Sequence, residues 1–270
     1  MSFKPWLQYI LRTTGVLQSV DQLRLWRRQL THTASNRRFT QEYPDFAVPP
    51  AHLAFDAYNT IDYDAYRRYG LQAATYIYSL IQQYGSHPTG DILEWGCGPA
   101  RVIRHIPHLM APGEGRVLGT DYNYETIRWC NDAIHTVHFL PNTLTPPLPF
   151  QTDHFRAVYA ISVFTHLSED VSNDWADELY RILQPGGVLI ATLHGDTFQS
   201  MLLPHEKQAY QSAGVVIRGS IEEGKKMFVS YHSPAYVRTR LFRQFEVLHH
   251  ELGQPSTLGS TQDVWVLMKR

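Results

Sequence analysis

Residues 91–101 contain the residue types and spacing that are most capable of binding a ligand. Two glycines, Gly96 and Gly98, follow a short apolar run that ends at the acidic residue Glu94. Glycines allow a tight turn and a close approach of the backbone to a ligand. Pro99 suits the first turn of a helix, and a helix starting there would present free N–H donors. The pattern predicts a strand, a glycine turn and a helix around a ligand, although such a turn also occurs in proteins without one.

A second acidic residue, Asp121, closes the next apolar run and lies 23 residues after Gly98. At about this distance from a glycine turn, a carboxylate accepts hydrogen bonds from ribose hydroxyls. The two features together favour a nucleoside ligand. A dinucleotide fingerprint would need glycine at the sixth position of G-x-G-x-x-G, where the sequence has Arg101. This departure disfavours NAD and FAD.

The glycine segment resembles the first motif of class I S-adenosylmethionine-dependent methyltransferases, acidic-x-G-x-G-x-G. Glu94, Gly96 and Gly98 match this motif, and Ala100 replaces its last glycine. The resemblance covers roughly residues 89–200 and continues through later segments that stand in the family's order. These segments are Gly119–Asn123, Asn142 with Pro146–Phe150, Phe155–Leu167 and Leu183–Ile190. Asn142 and Arg156 depart from the family, which usually has Asp at both positions.

The resemblance implies a binding site for S-adenosylmethionine, with S-adenosylhomocysteine as the product. Gly96, Cys97 and Gly98 would line the methionine part, and Asp121 would hold the ribose. Asn142 would meet the edge of the adenine. The predicted cofactor-binding residues are Glu94, Gly96, Cys97, Gly98, Asp121, Tyr122, Asn123, Asn142, Ser162 and Phe164.

Three of these residues have a simpler structural interpretation. Tyr122, expected along the adenine, is also a candidate for ordinary packing. Ser162, expected with Phe164 beside the transferred methyl group, is also a candidate for capping the next turn. Cys97 is a possible nucleophile because thiols at helix starts can have a lowered pKa, but a small loop residue is the favoured interpretation.

Two histidines are candidates for the proton acceptor that methylation of a hydroxyl requires. His166 follows the fourth predicted strand and is the first candidate, and His194 follows the fifth and is the second. With 14 histidines in the chain, some will fall at strand ends by chance. His249 and His250 could suggest a metal site, but adjacent side chains on a strand point apart. No metal is predicted.

Short apolar runs alternate with helix-length segments from residue 91 onward, which is typical of an α/β fold. We predict a Rossmann-like, doubly wound, seven-stranded, mostly parallel sheet with an N-terminal helical extension. By resemblance, the last two strands would form an antiparallel hairpin. The predicted strands are Ile92–Leu93, Val117–Gly119, Val137–Leu140, Ala157–Ile161, Val188–Ala191, Phe245–Leu248 and Val264–Leu267.

The chain is predicted to divide into a helical region, residues 1–88, and a methyltransferase domain, residues 89–270. The prolines of residues 43–50 predict an extended connector. A core-facing helix ending near Gly85 is predicted from apolar and aromatic residues at helical spacing. These residues are Tyr69, Ala73, Tyr76, Ile77, Leu80 and Tyr84. The aromatic residues between Phe55 and Tyr69 stand where relatives of this family place a lid over the substrate.

Basic residues are concentrated at the N-terminus. The whole chain has a net charge of −1, but residues 1–40 carry seven basic residues against Asp21 alone. An apolar stripe along one side of a helix accompanies them. Its residues are Val16, Val20, Leu23, Trp26 and Leu30. The favoured interpretation is a helix packed on its own domain with a solvated basic edge. The alternative is docking to anionic lipid, glycan or nucleic acid.

The remaining composition predicts a cytoplasmic protein. No apolar run approaches the roughly 18 residues of a membrane span, no signal peptide is recognisable, and two cysteines are too few for a disulfide framework. We predict an S-adenosylmethionine-dependent methyltransferase acting on a small-molecule or glycan acceptor, preferably by O-methylation. No nucleic-acid substrate is expected, because the overall charge is close to neutral. The alternatives are a non-catalytic nucleoside-binding protein and a nicotinamide-dependent oxidoreductase.

Overall fold

The computed structural model describes residues 17–219, 222–256 and 259–270. Its helices are α1 Leu17–Glu42, α2 Ala51–Tyr58, α3 Tyr63–Tyr84, α4 Tyr124–Ala133, α5 Glu169–Ile182, α6 Pro204–Ala213 and α7 Pro234–Tyr236. Short 3₁₀ helices occupy Ile103–His108, Phe164–His166 and Asp196–Met201, and a π-helical turn occupies Val237–Leu241. The first seven strands are β1 Asp91–Trp95, β2 Val117–Asp121, β3 His138–Pro141, β4 Phe155–Ala160, β5 Leu183–Leu193, β6 Val215–Arg218 and β7 Val229–His232. The remaining strands are β8 Phe245–Glu251, β9 Pro255–Ser256, β10 Gly259–Ser260 and β11 Asp263–Lys269.

Seven strands form one sheet in the order β3-β2-β1-β4-β5-β11-β8. The pairs among β1 to β5 are parallel, whereas β11 lies antiparallel to both β5 and β8. This confirms the predicted fold class, the seven strands and the antiparallel pair at the end of the chain. The small hairpin formed by β6 and β7 was not predicted.

Helices cover both faces of the sheet, as near-continuous apolar strands require. On one face, Trp175, Leu179 and Ile182 of α5 pack in a cluster with side chains of β1, β4 and β5. On the other face, Ile77 and Ile81 of α3 pack in a second cluster with the opposite side chains of the same strands. All six residues of β4 are buried, so the centre of the sheet forms the core of the domain.

Helix α3 begins earlier and presents a different face than the sequence predicts. The Asp62 side chain caps it by accepting a hydrogen bond from the Ala65 N–H at 3.0 Å. Tyr69 and Tyr76 are 48% and 38% exposed, so their predicted core position is wrong. The buried face includes Gly70, where a β-carbon would lie 2.1 Å from the carbonyl oxygen of Arg101. The close approach of α3 to this backbone fixes the helix rotation.

Helix α1 packs on the domain through residues that the predicted stripe does not contain. Phe39 is buried, and Leu25 packs against the apolar cluster of α2. Leu23, Trp26 and Leu30 are instead 63%, 58% and 61% exposed, so the predicted packing of their stripe on the domain is wrong. Val16 and the side chain of Val20 lie outside the described residues. Among the described residues, no helix has the length and apolar character of a membrane span.

Candidate active site

A cavity lies where the strand order reverses, beyond the carboxyl ends of β1 to β4. Parallel α/β sheets bind ligands at such a switch point, because the loops leave β1 and β4 in opposite directions. The cavity brings together eight of the twelve predicted site residues, each from the end of one of these strands or from the segment that follows it. They are Gly96, Gly98, Asp121, Tyr122, Asn123, Asn142, Ser162 and His166.

The glycine turn after β1 depends on conformations and space that larger residues lack. Gly96 has a φ of +75°, and a β-carbon there would lie 2.4 Å from Cγ2 of Val163. Ala100 also has a positive φ of +56°, at the position where the family motif has its last glycine. The predicted helix after Pro99 is wrong. Turns lead to a 3₁₀ helix, in which Pro107 removes an N–H donor and opposes an α-helical continuation.

Asp121 joins the glycine turn to the start of α4. Its carboxylate accepts hydrogen bonds from the N–H groups of Gly98 and Asn123, both at 2.8 Å. Burial raises the pKa of this carboxyl, and the two N–H groups oppose that increase. The Asn123 side chain in turn caps α4 by accepting the Thr126 N–H at 3.2 Å. Each oxygen of the Asp121 carboxylate accepts one of these two N–H groups and keeps a further lone pair for a ligand.

Asn142 lines the cavity and has a buried acceptor without a hydrogen-bond partner. Its Nδ2 donates to the carbonyl oxygen of Thr143 at 2.6 Å. Its Oδ1 is buried and has no hydrogen-bond partner. Because a buried acceptor without a partner is costly, this oxygen is suited to a ligand N–H donor.

Ser162 and Tyr122 are held by contacts with distant parts of the chain. Ser162 has a φ of +63°, and its hydroxyl accepts a hydrogen bond from Nε2 of Gln262 at 2.6 Å. The Tyr122 hydroxyl donates to the carbonyl oxygen of Gly224 at 3.0 Å. Both residues therefore have structural contacts in addition to their place in the cavity wall.

The other four predicted residues are not among those that line the cavity. Glu94 is buried and accepts a hydrogen bond from the Tyr159 hydroxyl at 3.1 Å, and burial raises its pKa to about 8. Cys97 is buried, and burial raises the pKa of its thiol well above the ordinary value, which disfavours a thiolate nucleophile. Phe164 is fully buried in the core. His194 is the fourth.

The two candidate bases contact carbonyl oxygens of β7 and of the residue just before it. Nδ1 of His166 lies 2.7 Å from the carbonyl oxygen of Phe228, and Nδ1 of His194 lies 3.1 Å from that of Ser230. Burial lowers the pKa of both, in His194 to about 4. His194 packs beside Phe198 with tilted rings whose centroids are 4.3 Å apart, whereas His166 lines the cavity.

Two segments outside the family motifs line the cavity, and one of them overlaps the aromatic segment that was expected to form a lid. Leu53, Asp56 and Tyr58 of α2 line one side, and Gly224 and Lys226 line another. Nζ of Lys226 lies 4.0 Å from Oδ1 of Asp56, so an ion pair connects the two segments. No sequence signal identified this pair, because 170 residues separate its members.

Residues 92–187 match the family described as a methyltransferase domain. This part of the chain is a methyltransferase domain. S-adenosylmethionine is the cofactor predicted from the sequence. The residues present fit that cofactor, because the unpaired Asn142 oxygen suits an amine donor such as that of adenine and the Asp121 carboxylate suits ribose hydroxyls.

Solved structures share the fold of the methyltransferase at low sequence identity. An S-adenosylmethionine-dependent methyltransferase from Methanosarcina mazei is 18% identical, with a TM-score of 0.55 over 70% of this chain and 96% of its own. One from Mesorhizobium loti is 18% identical, with a TM-score of 0.55 over 74% of this chain and 100% of its own. Magnesium protoporphyrin IX methyltransferase from Synechocystis, solved with S-adenosylhomocysteine, is 14% identical, with a TM-score of 0.52 over 90% of this chain and 98% of its own.

In the described part of the chain, no three His, Cys, Asp or Glu side chains are grouped to hold a metal ion. His249 and His250 make separate contacts. His249 stacks on Tyr84, with ring centroids 5.6 Å apart, while Nε2 of His250 lies 2.8 Å from Oδ2 of Asp263.

Proposed function

We propose that the methyltransferase O-methylates a small-molecule or glycan acceptor, with His166 as the proton acceptor. The observation that carries this proposal is the place of His166 in the wall of the same cavity as Gly98, Asp121 and Asn142. A base in this wall would stand beside an acceptor that enters next to the cofactor.

The cofactor would be held by the loops after β1, β2 and β3. The backbone of Gly96 and Gly98 would pass close to its amino-acid part, and the remaining lone pairs of Asp121 would accept the ribose hydroxyls. Oδ1 of Asn142 would accept the adenine amine. When bound, S-adenosylmethionine supplies an electrophilic methyl group on a sulfonium, and much of the protein's contribution is to align the acceptor with it.

The hydrogen bond to Phe228 selects the tautomer of His166 that a base requires. A carbonyl oxygen only accepts, so Nδ1 carries the proton and Nε2 keeps its lone pair. Burial lowers the pKa of His166 below its ordinary 6.5, which keeps the ring neutral at pH 7. A positioned base of this kind contributes about 10²–10⁴ to a rate. His194 is the weaker candidate, because a base with a pKa of about 4 accepts a proton poorly at neutral pH.

The covered cavity supports a compact acceptor rather than a nucleic-acid duplex. Helix α2 and the segment around Lys226 both contribute to its wall, and the Asp56–Lys226 pair connects them. Trp95 and Trp175 also line this cavity, which suits an acceptor with both apolar and polar parts.

Cys97 and Cys130 are buried free thiols, which supports a reducing, cytoplasmic setting.

An acceptor panel with detection of S-adenosylhomocysteine tests the proposal. Sugar alcohols, phenols, carboxylic acids, thiols and amines are incubated with the full chain and S-adenosylmethionine. We expect turnover with hydroxyl compounds, and much weaker turnover with Asp121→Ala at the same cofactor concentration. Turnover confined to thiols or amines would contradict O-methylation. Cofactor binding without any turnover would favour the non-catalytic alternative.

A further inference from the structure

Helix α1 has two faces with different roles. Its inner face packs on the domain: Leu25 contacts the cluster of Ala54, Phe55 and Ile61. Nδ2 of Asn36 also donates to the carbonyl oxygen of Ile61 at 2.7 Å, so the helix is anchored at more than one point. Only this face is needed to attach α1 to α2 and to the start of α3.

The outer face carries large apolar side chains in solvent. Leu23, Trp26 and Leu30 recur at intervals of three and four residues, which places them on one side of the helix, and each is more than half exposed. Arg27 lies four residues after Leu23, and Arg37 lies seven after Leu30, so exposed guanidinium groups border the same side. We call Leu23, Trp26 and Leu30, with Arg27, Arg37 and Arg38, the outer face of α1.

We propose that the outer face of α1 docks on an anionic phospholipid surface. Amphipathic helices with Trp and Leu beside basic residues lie in the membrane interface, with the apolar side chains at the acyl boundary and the cations among the phosphates. The Trp ring and the Arg side chains combine an apolar body with a polar end, which suits this boundary.

The distribution of charge selects this surface over the rest of the molecule. Residues 1–40 hold seven basic residues and one acidic residue, which leaves residues 41–270 with a net charge of −7. An anionic bilayer therefore attracts the N-terminal region and repels the remainder, and each basic residue near the surface contributes about 1 kcal/mol. Three of these basic residues, Arg27, Arg37 and Arg38, belong to the outer face of α1, which also carries the exposed apolar residues.

Other occupants fit the outer face less well. A second copy in a symmetric pair would bring the basic side chains of both outer faces into one interface, and like charges placed together oppose association. A nucleic acid would satisfy the arginines and stack on Trp26, but it would leave Leu23 and Leu30 in water. A bilayer interface accommodates both the apolar and the cationic groups.

Flotation of the full chain with vesicles tests the proposal independently of methyl transfer. Vesicles of phosphatidylcholine with one quarter phosphatidylserine are compared with vesicles of phosphatidylcholine alone. We expect binding to the anionic vesicles, at least about tenfold weaker binding to the neutral ones, and release by 0.5 M salt. Absence of binding to anionic vesicles, or equal binding to both, would overturn the proposal.

Three multiple variants separate the contributions of the two kinds of side chain. The apolar variant combines Leu23→Ser, Trp26→Ser and Leu30→Ser. The basic variant combines Arg27→Gln, Arg37→Gln and Arg38→Gln. The control variant combines Leu71→Ser, Met201→Ser and Leu252→Ser, which remove apolar side chains that are 41%, 41% and 50% exposed outside α1.

The apolar and basic variants are expected to bind anionic vesicles at least about tenfold more weakly, whereas the control variant should bind as the wild type does. Circular dichroism and cofactor titration check that each variant is folded. Wild-type binding in a folded apolar variant would overturn the proposal. The proposal would also be overturned if the protein did not bind vesicles and instead dimerised or bound RNA through the outer face of α1.

Discussion

Replacement of Glu94 by Gln is expected to stabilise the protein, by an amount that grows with pH. Glu94 is only 3% exposed, and burial raises its pKa to about 8 from an ordinary 4.5. The Tyr159 hydroxyl, Arg101 and the Ile103 N–H favour the ionised form and oppose that increase. Between pH 4.5 and 8 the folded state therefore keeps a proton that the unfolded state has lost, so this group makes stability fall as pH rises through that interval.

The size of the effect follows from the two pKa values. Each unit between pKa values corresponds to about 1.4 kcal/mol, so Glu94 destabilises the folded state by about 1 kcal/mol at pH 5 and about 5 kcal/mol at pH 9, relative to an uncharged side chain of the same shape. Gln is such a side chain. The advantage of Glu94→Gln should increase by about 4 kcal/mol across this range.

Urea denaturation of both proteins at several pH values from 5 to 9 measures this difference. Other titrating groups are common to both proteins, so subtracting the two free energies of unfolding isolates Glu94. A difference that stays constant from pH 5 to pH 9 would show that Glu94 is ionised in the folded state throughout, and would refute the reasoning.

Three further predictions address the frame of the site and its base. Arg156 is buried, pairs with Glu114 and donates to the carbonyl oxygen of Pro88, so Arg156→Ala should destabilise the fold by about 3–5 kcal/mol in denaturant titration and leave cofactor affinity unchanged. Ala100→Gly should stabilise the fold by up to about 1 kcal/mol, because glycine adopts the positive φ without strain; a loss of stability would contradict this. As pH is lowered, the rate of methyl transfer should fall only below pH 6.5, because the lowered pKa keeps His166 neutral above that value. A rate that already falls when pH is lowered through 8 would exclude His166 as the titrating group.

The elements that could be predicted from the sequence are those fixed by local patterns. The strands β1, β4 and β5 are buried on both faces, so their apolar runs identify them directly. The glycine turn and Asp121 could be identified because a positive φ at Gly96 and a carboxylate at the end of β2 are properties of single positions. Sequence spacing therefore predicted the cavity-lining residues at the carboxyl ends of β1, β2 and β3.

The features that were missed depend on contacts between distant residues. Helix α1 carries apolar side chains on both faces, so periodicity alone could not show that Leu25 and Phe39 contact the domain while Trp26 does not. Asp56 and Lys226 meet only because α2 and the segment after β6 both cover the cavity. Arg156, which departs from the family pattern, pairs with Glu114, a contact that no local motif encodes.

The proposed role of His166 is tested most directly by His166→Ala, measured on an acceptor found by the panel. His166 lines the cavity, and none of the hydrogen bonds described for it joins it to Asp121 or Asn142. Removing its side chain should therefore leave the Kd for S-adenosylmethionine within about twofold of the wild type. The rate of methyl transfer should fall by roughly 10²–10⁴, the range for loss of a positioned base. A variant that binds the cofactor and transfers the methyl group at the wild-type rate would contradict the proposal that His166 accepts the proton.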